Sequence, residues 1–289
     1  MIPKMTIILL NYKRPQNIPI IIKAIRSQTV KSVVFLWNNG DADVNSPLID
    51  RYERSAENVG CMARWKLAKE ATTPYVMSLD DDLCFSRNDV LESIIRSLEK
   101  QDNPNRIIGL TGVCLKPVPV YSIRKEFTCR YSDENNQTYD NSIYEIGSGG
   151  RVVYIKILPV VKDEAVDIVK GRAMAFRKQL LDTIHLPEER EDDIFLSASF
   201  ANKARKFHRI SALLNDAFYE LPERGAGNML QQGHYLSRDR AFRAYFSPNV
   251  ILDNSFARYI LVSAYMLKIL VLRMLSLLKR YALRVFVGS

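Results

Sequence analysis

The chain has 289 residues, 47% of them hydrophobic and 25% charged, with a formal net charge of +9. That is material for one large or two small domains with a full core, in the balance of a soluble globular protein. Beyond residue 250, six cations (Arg258, Lys268, Arg273, Lys279, Arg280, Arg284) face Asp253 alone, so the tail carries +5 and everything before it only +4. Basicity this local argues against a nucleic-acid binder. The four cysteines, Cys61, Cys84, Cys114 and Cys129, show no CxxC or framework spacing and are expected to be free thiols in a reducing compartment. Residues 1–10 lack the shape of a signal peptide.

In chain order, Met5–Leu10 reads as a buried strand. Asn17 and Pro19 are placed to open a helix running to about Gln28. Val33–Trp37 is a second strand, closed by the turn signal Asn38-Asn39-Gly40. Cys61–Ala71 reads as a helix, Tyr75–Leu79 as a third buried strand, Asn88–Lys100 as a helix and Arg106–Val113 as strand-like. This alternation over residues 1–113 is that of a doubly wound, nucleotide-binding half. The middle differs. Ser132–Gly150 is polar and turn-rich and is expected to be a mobile excursion. Val152–Leu158 and Val166–Phe176 are β-rich, and Asp192–Lys203 reads as a helix.

Three consecutive acids, Asp80-Asp81-Asp82, follow the third strand. Ligands of open α/β sheets bind outside the carboxyl ends of the strands. Acids crowded there repel one another unless a cation sits between them, and a divalent metal carrying a diphosphate suits. Alternation along an extended chain predicts that Asp80 and Asp82 face one way and Asp81 the other. An acidic loop or helix cap is the plainer reading of these residues alone. The first two strands end in Asn11, Arg14, Asn38 and Asn39, whose amides and guanidinium can read or stack on a base, although Asn is also common in turns. Asn58 and Arg64 stand at the entry of the next helix, where an Arg can fork onto a phosphate. Glu191-Asp192-Asp193 opens a later helix. Acids are favoured at a helix N-terminus, and one pointing into a cleft can serve as a general base. The stretch Arg224–Asn228 and Gly233–Arg240 is glycine-punctuated and basic, and reads as a flexible loop able to close over a diphosphate. In it, His234 is a candidate to complete an aspartate metal site, since manganese accepts oxygen and imidazole together.

Taken in order, N-Y-x-R-P, W-N-N, N-x5-R, S-L-D-D-D, E-D-D-I and G-H-Y-x-x-R resemble a GT-A glycosyltransferase. The set is most similar to the exostosin-like family, glycosyltransferase family 64, and more loosely fits the large inverting family 2. The resemblance covers about residues 5–245, in pieces. It implies a mixed, mainly parallel α/β sheet flanked by helices, a nucleotide-sugar donor (most often UDP-linked), and Mn²⁺ or Mg²⁺. It also implies roles. Arg14 and Asn39 would hold the uridine, and Asn58 and Arg64 the base or phosphates. Asp80 and Asp81 would meet the ribose or sugar, Asp82 the metal, Asp192 or Asp193 the anomeric carbon, and Arg238 the diphosphate. If the enzyme inverts, Asp193 is the base. If it retains, as family 64 does, the departing phosphate takes the proton. The class expected is a hexosyl- or N-acetylhexosaminyltransferase. A non-catalytic binding module of the same fold is the alternative.

Residues 258–287 form an apolar run interrupted by cations. On a helical wheel its five cations from Lys268 to Arg284 span an arc of about 160°, with Leu267, Leu270, Val271, Met274, Leu278 and Val285 opposite. That pattern predicts an interfacial helix on an anionic membrane, and packing on the core or an oligomer interface is the alternative. The expected organisation is a catalytic domain over residues 1–245 and a basic amphipathic helical extension over 246–289. The expected location is the inner face of a membrane, peripheral and cytoplasmic, with a glycan or lipid-linked glycan as acceptor.

Overall fold

The computed structural model describes residues 2–40, 42–100, 102, 104–116, 121–132, 144–147, 151–154, 157–188, 191–204, 208–222 and 234–246, with Leu267, Leu270, Val271, Met274 and Leu275 of the tail. Its first half follows the predicted alternation. Strand β1 (Met5–Asn11) is buried along its whole length. Helix α1 (Ile18–Arg26) buries Ile18, Ile21, Ile22 and Ile25, the spacing of one helical face. Next come β2 (Ser32–Asn38), the short edge strand β3 (Arg51–Arg54), α2 (Met62–Ala68), β4 (Tyr75–Asp80), β5 (Leu83–Phe85) and α3 (Val90–Glu99). The strand-like segment at 106–113 divides into β6 (Ile108–Gly109) and β7 (Thr111–Leu115). The second half adds β8 (Ile123–Thr128), β9 (Tyr144–Gly147), β10 (Arg151–Tyr154), β11 (Ile157–Pro159), β12 (Glu164–Val166), β13 (Ile168–Val169), β14 (Ala173–Arg177), α4 (Gln179–Asp182), α5 (Asp192–Ala204), β15 (His208–Ile210), β16 (Phe218–Glu220) and α6 (His234–Tyr245).

The main sheet has eight strands in the order β12-β15-β6-β14-β4-β1-β2-β3. β4, β1, β2 and β3 run parallel, β14 is antiparallel to β4, and β15 is parallel to β6. The expected mixed, mainly parallel sheet flanked by helices is therefore present. Apolar residues fill β1, β2 and β4 because strands covered on both faces have no solvent face on which to place polar groups. A four-stranded sheet, β11-β8-β7-β13, lies beside the main one. A small second core joins Val113, Tyr121 and Ile123 to Ile194 and Ala198 of α5 and to Phe242 of α6.

Register decides what meets at the carboxyl edge of the sheet. Asn11 pairs with Asn38, and Leu10 lies opposite both Trp37 and Asp80. The polar ends of β1, β2 and β4 therefore converge although they are far apart in sequence. Two expectations are corrected here. The loop predicted over Gly233–Arg240 is helix α6 from His234 onward, because Phe242 and Ala241 give it an apolar face to bury. Asn17 caps α1 by position, but its side chain makes no cap hydrogen bond and donates instead to the Asp81 carbonyl at 2.9 Å. Most of Ser132–Gly150, and residues 224–228, lie outside the described residues. Among the described residues no helix is long and apolar enough to cross a membrane.

Candidate active site

Strand β4 ends at Asp80, and the chain then turns before β5. The three acids consequently leave the alternation of a strand. Asp81 and Asp82 share Arg14, whereas Asp80 turns to Arg64. The sequence expectation that Asp80 and Asp82 would share a face is corrected by this turn.

Arg14 donates to Asp81 Oδ1 at 2.5 Å, and the Tyr12 N–H donates to Asp81 Oδ2 at 2.6 Å. Lys13 between them sits in the left-handed region at φ 65°, a conformation costing a non-glycine residue about 1–2 kcal/mol. The strain lets consecutive residues present a backbone N–H and a guanidinium to one carboxylate. Burial still pushes the Asp81 carboxyl up to about 7, against the pull of Arg14.

Asp82 lies between two arginines. Arg172 Nη2 donates to its Oδ1 at 3.1 Å, and Arg14 Nη1 stands 3.5 Å from its Oδ2. Arg172 also reaches Glu220 Oε1 with Nη1 at 2.6 Å. Backbone pairing fixes both partners. The Arg172 carbonyl accepts from the Asp80 N–H, and Glu220 of β16 is registered opposite Leu83.

Arg64 joins the two acidic motifs. It is 1% exposed, with Nη1 on Asp80 Oδ1 at 2.6 Å and Nε on Asp192 Oδ2 at 2.9 Å. The indole N–H of Trp65 also donates to Asp192 Oδ2, at 2.6 Å. Gly171 makes room for this. A Cβ there would lie 2.6 Å from Arg64 Nη2. Asp193 is gripped from the other side. Arg238 of α6 places Nη1 and Nη2 on its two oxygens at 3.1 and 3.0 Å, and also reaches Glu191 at 3.1 Å and the Tyr121 hydroxyl at 2.9 Å. Burial pushes Asp192 and Glu191 up. Burial acts on Asp193 in the same direction, but the charge and hydrogen bonds of Arg238 hold it below the ordinary carboxylate range.

The Asn residues form a second layer. Asn11 Nδ2 donates to Asn38 Oδ1 at 2.6 Å, and Asn38 donates onward to the Ala42 carbonyl and the Tyr52 hydroxyl. This fixes both amide orientations. Asn11 Oδ1 is left buried with no hydrogen-bond partner among the described residues. Asn39 braces Trp37, Val59 and Gly60, and Asn58 Oδ1 accepts from the Gly60 N–H at 2.9 Å, the local bond expected of a turn Asn.

The structure thus brings Asn11, Asn38, Asn39, Asn58, Arg14, Arg64, Asp80, Asp81, Asp82, Asp192, Asp193 and Arg238 to one carboxyl edge and its adjoining helices. The side chain of His234 lies outside the described residues. Sequence reasoning did not single out Arg172, Glu220, Trp65 or Tyr121, which carry no motif and reach the site only through long-range pairing.

Residues 5–133 match the glycosyl transferase family 64 domain. The matched stretch, less than half of the chain, is similar to that family's domain. It runs from β1 to just past β8 and holds the Asn11–Arg14 turn, Arg64 and the three acids. The family 64 match stops short of Glu191–Asp193 and Arg238. The expected enzyme class, a glycosyltransferase, agrees with that domain. No curated protein matches the sequence. Among solved structures, TarS 1–349 of S. aureus shares 13% identity over 75% of this chain and 60% of its own, with a TM-score of 0.45. A second S. aureus TarS structure gives 13%, 75% and 36%, with a TM-score of 0.46. The mannosyltransferase PcManGT from Pyrobaculum calidifontis, in complex with GDP-Man and Mn²⁺, shares 14% identity over 93% of this chain and 81% of its own, with a TM-score of 0.47. The chain spans 60% and 36% of the length of the two TarS structures.

Proposed function

We propose that this chain is a metal-dependent glycosyltransferase that moves a hexosyl or N-acetylhexosaminyl group from a UDP-sugar to a hydroxyl of a glycan or lipid-linked glycan. One observation carries the reading. Among the described residues, seven carboxylates (Asp80, Asp81, Asp82, Glu191, Asp192, Asp193, Glu220) share four arginines (Arg14, Arg64, Arg172, Arg238) at the carboxyl edge of the main sheet and its adjoining helices. An excess of buried acid is costly unless a cation joins it.

The donor set suits a hard cation. Among the described residues no three ligating side chains form a cage. Such ions bind through one or two carboxylates and take their remaining ligands from substrate phosphate and water. Asp82 would hold Mn²⁺ or Mg²⁺. The ion would supply charge to balance the departing diphosphate. The buried Asn11 Oδ1 suits a base N–H such as the uracil imide, and the Arg14 and Asn39 loops would border that base. Asp80 and Asp81 would face the ribose or sugar.

Asp192 and Asp193 are each fixed by three hydrogen bonds from arginine, indole or backbone donors. Fixed anions of this kind suit stabilisation of positive charge at the anomeric carbon better than proton abstraction. The step proposed is a retaining one. The bond from the anomeric carbon to the diphosphate oxygen breaks, the acceptor oxygen bonds on the same face, and its proton passes to the departing phosphate.

The tail is proposed to rest on an anionic membrane at its cytoplasmic face. Leu267, Leu270, Val271 and Met274, from the apolar side of the helical wheel, are exposed, which supports that reading. Replacing the five cations from Lys268 to Arg284 by Gln in the full chain should abolish binding to anionic liposomes. Unchanged binding refutes the membrane role.

Calorimetry with a panel of nucleotide sugars, in Mn²⁺ and then in EDTA, tests the central reading. One UDP-sugar should bind only with metal, and Asp82→Ala should lose it. A folded protein that binds none of the panel overturns the proposal and leaves a non-catalytic module as the better account.

A further inference from the structure

Arg172 has no assigned role, yet its guanidinium lies on the carboxylate proposed to hold the metal. We propose that Arg172 holds Asp82 in the free enzyme and gives it up only when metal and nucleotide diphosphate arrive together, so that metal binding depends on the nucleotide. This rests on the reading of Asp82 as the metal ligand.

The argument is geometric and electrostatic. The fork of Arg172 spans Asp82 and Glu220 at 3.1 and 2.6 Å. Its Cζ lies over the Tyr131 ring, 5.7 Å from the centroid. Asp82 immediately precedes β5, and Glu220 lies on β16, which pairs with β5 and places Glu220 opposite Leu83, so both ends of the fork are preset. Around Asp82, among the described residues, the carboxyl groups of Asp81, Asp82 and Glu220 pair with Arg14 and Arg172, so acid groups outnumber arginines.

A divalent ion arriving alone would leave this cluster with a net positive charge. It would also strip Arg172 of one of its two carboxylates, in a place where Asp82 is 9% exposed. A diphosphate arriving with the ion reverses the balance and offers the freed Nη2 a new anionic acceptor. Glu220 and Tyr131 keep Arg172 tethered, so it swings over a short arc and does not leave the site. Arg172 is a positioning residue in this scheme. It acts on the order of binding through Asp82, and by reciprocity the nucleotide should bind better with metal by the same factor.

The test is a Mn²⁺ titration of the full chain, read by the electron paramagnetic resonance signal of free Mn²⁺, with and without UDP. Wild type should bind Mn²⁺ weakly alone and at least about tenfold more tightly with UDP. Arg172→Gln should bind Mn²⁺ alone about tenfold more tightly than wild type, since one charge-assisted hydrogen bond no longer competes, and should lose most of the UDP dependence. A merely structural role cannot produce this gain of affinity. If Arg172→Gln fails to fold, Arg172→Lys, which cannot fork across both carboxylates, is read in its place and should show a smaller gain of the same sign. A folded variant whose affinity for Mn²⁺ alone equals or falls below that of wild type overturns the proposal. Asp82→Asn is the separate control. If it still binds Mn²⁺ with UDP as wild type does, the metal assignment itself has failed.

Discussion

Replacing Arg64 by Met removes one cation that two carboxylates share, and the structure says where the penalty falls. The Asp80 side chain is 29% exposed and can turn toward water. Asp192 is 4% exposed and cannot. It keeps the Trp65 indole N–H and the Asp193 backbone N–H but loses the cation that opposes its burial. Breaking one side of a buried pair costs about 3–5 kcal/mol, and that is the loss expected at about pH 8. Burial already pushes Asp192 up, and Arg64 is the largest influence pulling it down. Without Arg64 the folded state takes up a proton that the unfolded state does not. The deficit should therefore shrink as pH falls from about 8 to about 5.5. Urea unfolding of wild type and Arg64→Met at the two pH values measures it. A deficit that is constant or larger at the lower pH refutes the view that Arg64 exists to neutralise Asp192.

Three further expectations follow from the same contacts. Gly171→Ala adds a Cβ 2.6 Å from Arg64 Nη2 and 3.4 Å from Asp192 Oδ1. It should cost about 1–3 kcal/mol and lower turnover without changing any charge; unchanged thermal stability and kcat would mean Arg64 has slack there. Asp193→Asn leaves Arg238 half neutralised and should reduce kcat about a hundredfold or more, and a kcat within a few-fold of wild type removes Asp193 from the mechanism. His208 is fixed as a neutral ring, accepting from the Ile107 N–H at 3.0 Å on Nδ1 and contacting the Ser197 carbonyl through Nε2 at 2.8 Å. Burial lowers it from 6.5 to about 4. Its contribution is intact above 6.5 and is lost as pH falls toward 4, because only the unfolded chain takes up the proton. That amounts to about 2 kcal/mol between pH 7.5 and 5. His208→Gln should flatten this slope in urea melts, and an unaltered slope counts against it.

The parallel half was legible because its signals are local. β1, β2 and β4 are apolar runs whose length and turn residues announce them, and α1 and α3 bury evenly spaced apolar faces. The helix containing His234 and Arg238 was read as a loop because its glycine-punctuated approach and basic composition resemble one. What makes it a helix is an apolar face supplied by α5 and by Tyr121, forty and more residues away in sequence. The same limit hid Arg172. Nothing around Gly171-Arg172 marks it, and its place at Asp82 follows from β14 pairing antiparallel to β4.

The acids were visible, and so were three of the four arginines that hold them, Arg14, Arg64 and Arg238; what the sequence did not show is how each one spans its acids, for a physical reason. Adjacent carboxylates must come from one turn or one helix end to form a dense cluster, so they appear as D-D-D and E-D-D. Each of the four guanidiniums here instead spans two carboxylates from a distance. Arg64 of α2 reaches the end of β4 and the start of α5, and Arg238 of α6 reaches α5 and Tyr121. Arg14 and Arg172 approach Asp82 from the ends of β1 and β14. Only chain segments far apart in sequence can close on an acidic cluster from several directions. Among the described residues' ion pairs, each cluster has one more acid than arginine: two acids on Arg64, two on Arg238, and three on Arg14 and Arg172 together. Further arginines would neutralise it permanently. Under the proposed function, that shortfall would keep the edge receptive to a cation arriving with the nucleotide.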